Sequence, residues 1–119
     1  MVIDLKTGKT IPANADLAEH PQLAVYQAAI ELGAFEESSV SGGAALVQLG
    51  GETGAAREQT QPPLGETADP AWAEALVKRT AKAMASSTFN AVVNNRCRVC
   101  PVRTSCPVSG KGRRVTDDS

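Results

Sequence analysis

The residues best suited to catalytic chemistry near the start of the chain are an acid and a base two positions apart, Asp4 and Lys6. Residues 2–6 predict a short β-strand, and side chains two apart on a strand project from the same face of a sheet. A carboxylate can hold a hard cation such as Mg2+, and a neighbouring ammonium can orient a water and offset charge that develops on a phosphate. The alternative is a solvated ion pair on an edge strand, the commoner meaning of an isolated acid-x-lysine pair.

A second polar pair, Gln22 and Tyr26, lies in a segment predicted to be helical. Pro21 suits the first turn of a helix that runs to about Leu32, and Gly33 suits its end. Residues four apart share one face of a helix, so an amide and a phenol hydroxyl here can position a water, a phosphate or a neighbouring side chain. The alternative places Tyr26 in the core and Gln22 on the surface.

Three cysteines lie close together towards the end of the chain, at Cys97, Cys100 and Cys106. Two thiolates separated by two residues can bind one zinc ion or one iron–sulfur cluster, and a third can close the same site. Both sites usually take four protein ligands, and His20 is a candidate fourth ligand for zinc, although a histidine beside a proline at a helix start is more often a surface residue. Free structural thiols are the alternative, but free cysteine prefers burial and this coil is polar.

The elements around these residues alternate between strand and helix, which predicts an α/β fold. A second, buried strand is expected over residues 44–49. Residues 50–68, rich in Gly, Pro, Thr, Glu and Gln, are expected to form a long mobile surface loop. Asp69-Pro70 then predicts the start of a second helix. The side chains expected on its buried face are Trp72, Leu76, Ala83 and Met84.

This order, β-α-β-α followed by a cysteine-rich coil, predicts one domain over residues 1–108 and a polar tail over 109–119. Two strands do not make a sheet that covers itself. The expectation is therefore that the chain borrows strands from a partner, or that it is the back half of a larger domain.

The composition is 42% hydrophobic and 21% charged over 119 residues, which excludes a wholly disordered chain. The net charge of -1 conceals an asymmetry, because residues 1–77 carry three bases and eleven acids while residues 78–119 carry nine bases and two acids. The basic part is expected to bind a polyanion or to balance the charge of the acidic half. The absence of a long apolar run or a signal peptide, together with three cysteines, indicates a cytoplasmic protein with no membrane partner.

Taken in order, the D-L-K-T-G motif at residues 4–8, the Q-L-A-V-Y motif at residues 22–26 and the three-cysteine tail resemble the PD-(D/E)XK nuclease superfamily. Over about residues 1–108 the chain is similar to the RecB-type nuclease domain that ends AddB-like and AdnA/AdnB-like helicase–nucleases of double-strand-break repair. The resemblance implies a partial restriction-endonuclease-like core, DNA as the substrate and a helicase subunit as a partner.

The resemblance also implies a role for each motif. Asp4 would bind Mg2+ or Mn2+, Lys6 would be the catalytic lysine that orients the attacking water, and Gln22 and Tyr26 would support the site and the DNA strand. The three cysteines, joined by a fourth far upstream, would bind a 4Fe-4S cluster. The arginines between them suit contacts with a DNA backbone or are solvated loop charges; they are Arg96, Arg98 and Arg103.

The sequence departs from the family pattern at its beginning. The family core has a helix and two strands before the D-x-K strand, with another metal-binding acid, and the fourth cysteine also lies upstream. The interpretation is a C-terminal fragment of a helicase–nuclease, inactive or nearly so alone, since one carboxylate rarely retains a catalytic metal. Two alternatives stay open: a zinc-binding interaction module with His20 and the three cysteines as ligands, and a DNA-binding remnant that uses its basic C-terminal half.

Overall fold

The structure is a computed structural model that describes residues 1–51 and 54–109. The chain divides into two compact units, Met1–Lys82 and a second that begins at Ala83. Within the described residues, the strands and α-helices are β1 (Val2–Lys6), α1 (Pro21–Glu31), β2 (Ala44–Gln48), β3 (Arg57–Gln61) and α2 (Trp72–Met84). This mixture of strands and helices confirms the predicted α/β class.

The sheet has the strand order β1-β2-β3. Strands β1 and β2 are parallel and are joined through α1, as a parallel pair requires a crossover connection. Strand β3 runs antiparallel to β2. Strand β1 therefore forms one edge of the sheet, and no strand of the described residues pairs with its outer side.

One face of the sheet packs against α1. Side chains alternate along β1, so Val2, Asp4 and Lys6 share the face beneath the helix, while Ile3 and Leu5 lie on the opposite face and are 60% and 61% exposed. The predicted alternation is confirmed. The buried core on the helix side is small and aliphatic and consists of Leu17, Leu23, Ala44 and Leu46.

Helix α2 begins close to the predicted start. The carboxylate of Asp69 accepts a hydrogen bond from the backbone N–H of Ala71 at 3.1 Å, which satisfies one of the free donors at the helix start. The first turns of α2 pack through Trp72, Ala73 and Leu76 against a second small cluster that includes residues of α1. Burial of these apolar side chains holds the start of α2 in the first unit.

The later turns of α2 are exposed, so the predicted burial of Ala83 and Met84 is wrong. The cluster that receives α2 touches only its first turns, and the rest of the helix carries a solvated polar face. On that face, Lys78 lies 2.6 Å from Glu74, and its hydrogen bond and positive charge lower the pKa of Glu74.

The prediction of a loop over residues 50–68 is wrong at its centre, where Arg57–Gln61 forms β3. This strand contains no apolar residue, yet Gln59 and Gln61 are 6% and 1% exposed, while Thr60 between them is exposed. Burial of these two amides is possible because each makes hydrogen bonds to distant parts of the chain. The sheet of the first unit therefore has three strands rather than the expected two.

The second unit contains two short 3-10 turns, at Cys97–Val99 and Arg103–Ser105, in an otherwise irregular chain, as predicted. Ser109 is the last described residue, so the rest of the predicted polar tail lies outside the described residues. None of the helices in the described part of the chain has the length and apolar character needed to cross a bilayer.

Candidate active site

Asp4 and Lys6 form an ion pair on the face of β1 that packs against α1. Lys6 Nζ lies 2.8 Å from Asp4 Oδ2. The Asp4 side chain is 17% exposed and that of Lys6 is 37% exposed. The pair is therefore partly withdrawn from water, unlike the fully solvated pair that an isolated acid-x-lysine motif would favour, and it remains open to a ligand on one side.

A chain of hydrogen bonds extends this pair onto α1. Lys6 Nζ donates to Gln22 Oε1 at 2.7 Å, and Gln22 Nε2 donates to the hydroxyl oxygen of Tyr26 at 2.8 Å. All four residues singled out by the two motifs thus lie in one continuous polar chain. Because the Tyr26 oxygen accepts a hydrogen bond from Gln22, its own proton is available for a further acceptor.

Local helix geometry explains how α1 presents this pair. Pro21 occupies the first turn, where its missing N–H costs nothing, and Gln22 and Tyr26 follow on one face of the helix. Leu23 is fully buried and packs against β2 residues, which fixes the rotation of the helix over the sheet. Tyr26 also packs at the margin of that core, so it combines the core role and the site role that the sequence left as alternatives.

The Asp4 carboxylate has an oxygen that suits a cation. Oδ2 is buried, and apart from the ion pair with Lys6 it has no hydrogen-bond partner among the residues that the structure describes. The ammonium of Lys6 offsets the cost of burying this charged oxygen, which has no second partner among the described residues. Its donor type is the one that Mg2+ and Mn2+ prefer.

The number of protein ligands near Asp4 is less favourable to metal binding than its oxygen donor is. Across residues 1–51 and 54–109, no three side chains of the His, Cys, Asp or Glu type are grouped so that they hold one metal ion. Mg2+ is often held by one or two carboxylates together with waters and substrate phosphates. A metal ion at Asp4 would thus have one protein ligand from this group, and its other ligands would have to be water, a bound phosphate or a residue outside the group.

A buried amide network, which sequence reasoning missed, holds the start of α1 in place. Gln61 Oε1 accepts a hydrogen bond from Gln27 Nε2 at 2.9 Å, and Gln61 Nε2 donates to the carbonyl oxygen of Leu17 at 2.8 Å. Ser41 Oγ donates to Gln27 Oε1 at 2.6 Å. The network joins α1, β3 and the turn that precedes α1. The spacing of Gln27 indicated its burial, because it follows the buried Leu23 by one helical turn and so lies on the same face of the helix.

The three cysteines lie together in the second unit. Each is half-buried and unbonded, and all three line one cavity of about 340 Å³. The backbone N–H of Asn94 donates to Cys97 Sγ at 3.3 Å. Arg98 and Arg103 line the same cavity, and Arg103 donates to the carbonyl oxygen of Arg98 at 3.1 Å.

His20, the other candidate zinc ligand, belongs to the first unit and directly precedes α1. Its ring Nδ1 is buried and has no hydrogen-bond partner among the described residues. Its backbone oxygen accepts a hydrogen bond from Gln61 Nε2 at 3.3 Å, so the residue also takes part in anchoring the start of the helix.

The chain matches the family profile of the PD-(D/E)XK nuclease superfamily over residues 1–107, and it belongs to that superfamily. The three-stranded mixed sheet with its helices is consistent with a partial restriction-endonuclease-like core. Nucleases of this superfamily act on DNA and typically use divalent metals such as Mg2+. A comparison with curated proteins finds no match.

Proposed function

We propose that this chain is part of a metal-dependent DNA nuclease domain of the RecB type, which acts with an AddB-like or AdnB-like helicase in double-strand-break repair. The observation that carries the proposal is the polar chain Asp4–Lys6–Gln22–Tyr26, which spans β1 and α1. An acid, an amine and two orienting side chains within hydrogen-bond reach are suited to phosphodiester hydrolysis.

The ammonium of Lys6 has the central role in the proposed reaction. Its charge would stabilise the negative charge that develops on the scissile phosphate, and one N–H would orient the attacking water. Gln22 Oε1 holds the ammonium from the helix side, so Lys6 does not have to reorganise when the substrate arrives. A divalent cation at Asp4 would supply Lewis-acid stabilisation and a more acidic water.

Gln22 and Tyr26 are proposed as positioning residues. The amide of Gln22 is fixed at both ends, by Lys6 and by the Tyr26 hydroxyl. The free proton of Tyr26 can be donated to a phosphate oxygen of the DNA strand. These two contacts would align the substrate without taking part in bond breaking.

The proposed site needs a further acid. Only Asp4 offers a carboxylate within the polar chain, and the outer edge of β1 is unpaired among the described strands. A strand added at that edge would bring its side chains next to Asp4. We propose that further parts of the nuclease domain, together with the helicase subunit, supply this strand and its acid, and that the chain alone cleaves DNA slowly or not at all.

The test uses the full chain with a linear DNA in Mg2+, and it measures both binding and cleavage. The expected result is binding that weakens with salt, with cleavage at or near the background rate. Cleavage by the chain alone that Lys6→Ala abolishes would contradict the need for a further acid while supporting the nuclease class. The absence of any DNA binding would contradict the proposed function itself, and DNA binding by a chain that binds neither Mg2+ nor Mn2+ at Asp4 would favour a DNA-binding remnant.

A second proposal concerns the cysteine cavity, which would hold a 4Fe-4S cluster with a fourth ligand from elsewhere. It is favoured by the three thiols that line one cavity and by the N–H of Asn94 directed at Cys97 Sγ. Three thiols do not complete such a site, and among the described residues the three are not grouped closely enough to hold one ion, so binding would have to draw them together. The rival is zinc bound by the three cysteines, in an interaction module without catalysis.

Anaerobic purification separates these two cysteine proposals. Brown protein with acid-labile sulfide, lost in Cys97→Ser, supports the cluster. Colourless protein with one zinc ion per chain, lost in Cys97→Ser, supports the zinc module. Metal-free protein with three titratable thiols contradicts both.

A further inference from the structure

Two of the three basic residues in the acidic half of the chain line one cavity. Residues 1–77 contain only three bases, which are Lys6, Lys9 and Arg57. Lys6 belongs to the candidate active site, and the other two line a single cavity of about 350 Å³. The described residues that line this cavity include no acid, and neither Lys9 nor Arg57 has an ion pair within the described part of the chain.

Two tightly packed turns, at the carboxyl ends of β1 and β2, carry three of the residues that line this cavity, namely Lys9, Gly50 and Gly51. Gln48, at the end of β2, donates a hydrogen bond to the carbonyl oxygen of Gly8 in the turn after β1. Gly50 packs so closely against that turn that a Cβ at this position would overlap the Thr7 carbonyl oxygen. The spacing between Lys9 and the Gly50 turn is therefore set by backbone contacts rather than by flexible side chains.

Strand register places this cavity on the same face of the sheet as the candidate active site. Lys6 pairs with Gln48, and Gln48 pairs with Arg57. Directly paired residues project from the same face, and adjacent strands lie about 4.8 Å apart. The backbone of Arg57 is thus about 10 Å from that of Lys6, two strands across on the face that α1 covers.

We propose that this cavity binds a backbone phosphate of the DNA strand whose neighbouring phosphate lies at Lys6; the inference rests on the proposed nuclease function. A guanidinium and an ammonium that have no carboxylate partner among the described residues are suited to a phosphate, which Arg57 can contact with two N–H groups. The one described contact of the Arg57 guanidinium is a long hydrogen bond to Asn14 Oδ1 at 3.5 Å, so its other donors are available.

The binding test uses the full chain and a labelled single-stranded oligonucleotide in EDTA, so that neither metal nor cleavage is required. Ala55 lines the cavity, whereas the adjacent and equally exposed Ala56 does not. Ala55→Glu is expected to weaken binding by roughly tenfold through repulsion of the phosphate, and Ala56→Glu, which adds the same charge one residue away, by roughly twofold or less.

Removal of the cavity's own charges provides an independent measurement. Lys9→Gln combined with Arg57→Gln should lower the slope of log K against log salt by about 0.7, since the cavity is proposed to neutralise one phosphate and each single-strand phosphate contact contributes about 0.7. A control with the same change in charge combines Ala34→Glu with Ser39→Glu, at exposed positions that do not line the cavity, and should leave the slope nearly unchanged. Equal effects of the two pairs, or equal effects of the two alanine variants, would overturn the proposal.

Free phosphate and DNA are separated by a second titration. Inorganic phosphate should shift the amide resonances of the turns that contain Gly8 and Gly50, and the oligonucleotide should shift the same resonances at lower concentration. Shifts with inorganic phosphate alone would contradict a DNA subsite. DNA binding that Ala55→Glu weakens, without metal-dependent cleavage by the chain in any assembly, would support this inference and contradict the proposed nuclease function. The failure of one proposal can therefore be told from the failure of the other.

Discussion

Lys6 on β1 and Gln22 on α1 are joined by a hydrogen bond of 2.7 Å, and this bond links the sheet to the helix at the candidate active site. The bond fixes the ammonium of Lys6 between a helix amide and the Asp4 carboxylate. A lysine held on both sides has little freedom of its own, which is the arrangement expected of a group that acts on a bound phosphate.

The link between Lys6 and Gln22 is expected to contribute measurably to stability. In a double-mutant cycle of Lys6→Met and Gln22→Leu, urea denaturation should give a coupling free energy of about 1 kcal/mol. Lys9 is exposed and makes no bond to Gln22 in the described structure, so Lys9→Met provides the matched control and should be additive with Gln22→Leu. Additivity of the Lys6 cycle would contradict the link.

The buried amide of Gln61 is expected to be a major determinant of stability. Gln61→Leu removes the donor to the Leu17 carbonyl and one of the two acceptors of Gln27 Nε2, leaving the Pro62 carbonyl oxygen as the other, so the free energy of unfolding should fall by about 2 kcal/mol or more. The control is Glu58→Leu on the same strand, where the side chain is exposed and the change should stay within about 0.5 kcal/mol. Similar losses in the two variants would argue against the network.

The close approach of the two turns gives a steric prediction. Gly50→Ala places a Cβ against the Thr7 carbonyl oxygen and should destabilise the first unit by about 2 kcal/mol, the usual range for overpacking. Gly8→Ala, in the facing turn, meets no atom within 4 Å and should change stability by less than about 0.5 kcal/mol. Thermal or urea unfolding of the two variants compares them directly, and a tolerated Gly50→Ala would mean that the turns are not in contact.

The local part of the candidate site could be predicted from the sequence because it rests on short-range geometry. Residues two apart on a strand and four apart on a helix share a face in almost any fold, so Asp4 with Lys6 and Gln22 with Tyr26 were paired correctly. That the two pairs meet through Lys6 and Gln22 was implied only by the family resemblance, since it depends on how α1 crosses the sheet.

The parts that were mispredicted depend on long-range partners. Strand β3 contains only polar and charged residues, and its burial follows from hydrogen bonds between Gln61 and groups more than 30 residues away. Polarity alone therefore indicated a loop. The exposed end of α2 has a similar cause, because an apolar residue such as Met84 is buried only where another element reaches it, and the cluster around Ala73 ends earlier.

The central claim, that Asp4 binds a divalent cation beside Lys6, is tested most directly by titrating the full chain with Mn2+ and recording amide spectra. The account predicts selective paramagnetic broadening of resonances near Asp4, including Leu46, which pairs with it across the sheet. The broadening should disappear in Asp4→Asn and persist in Asp16→Asn, an exposed acid that serves as the control. Broadening that is unchanged by Asp4→Asn, or centred elsewhere in the chain, would contradict the account.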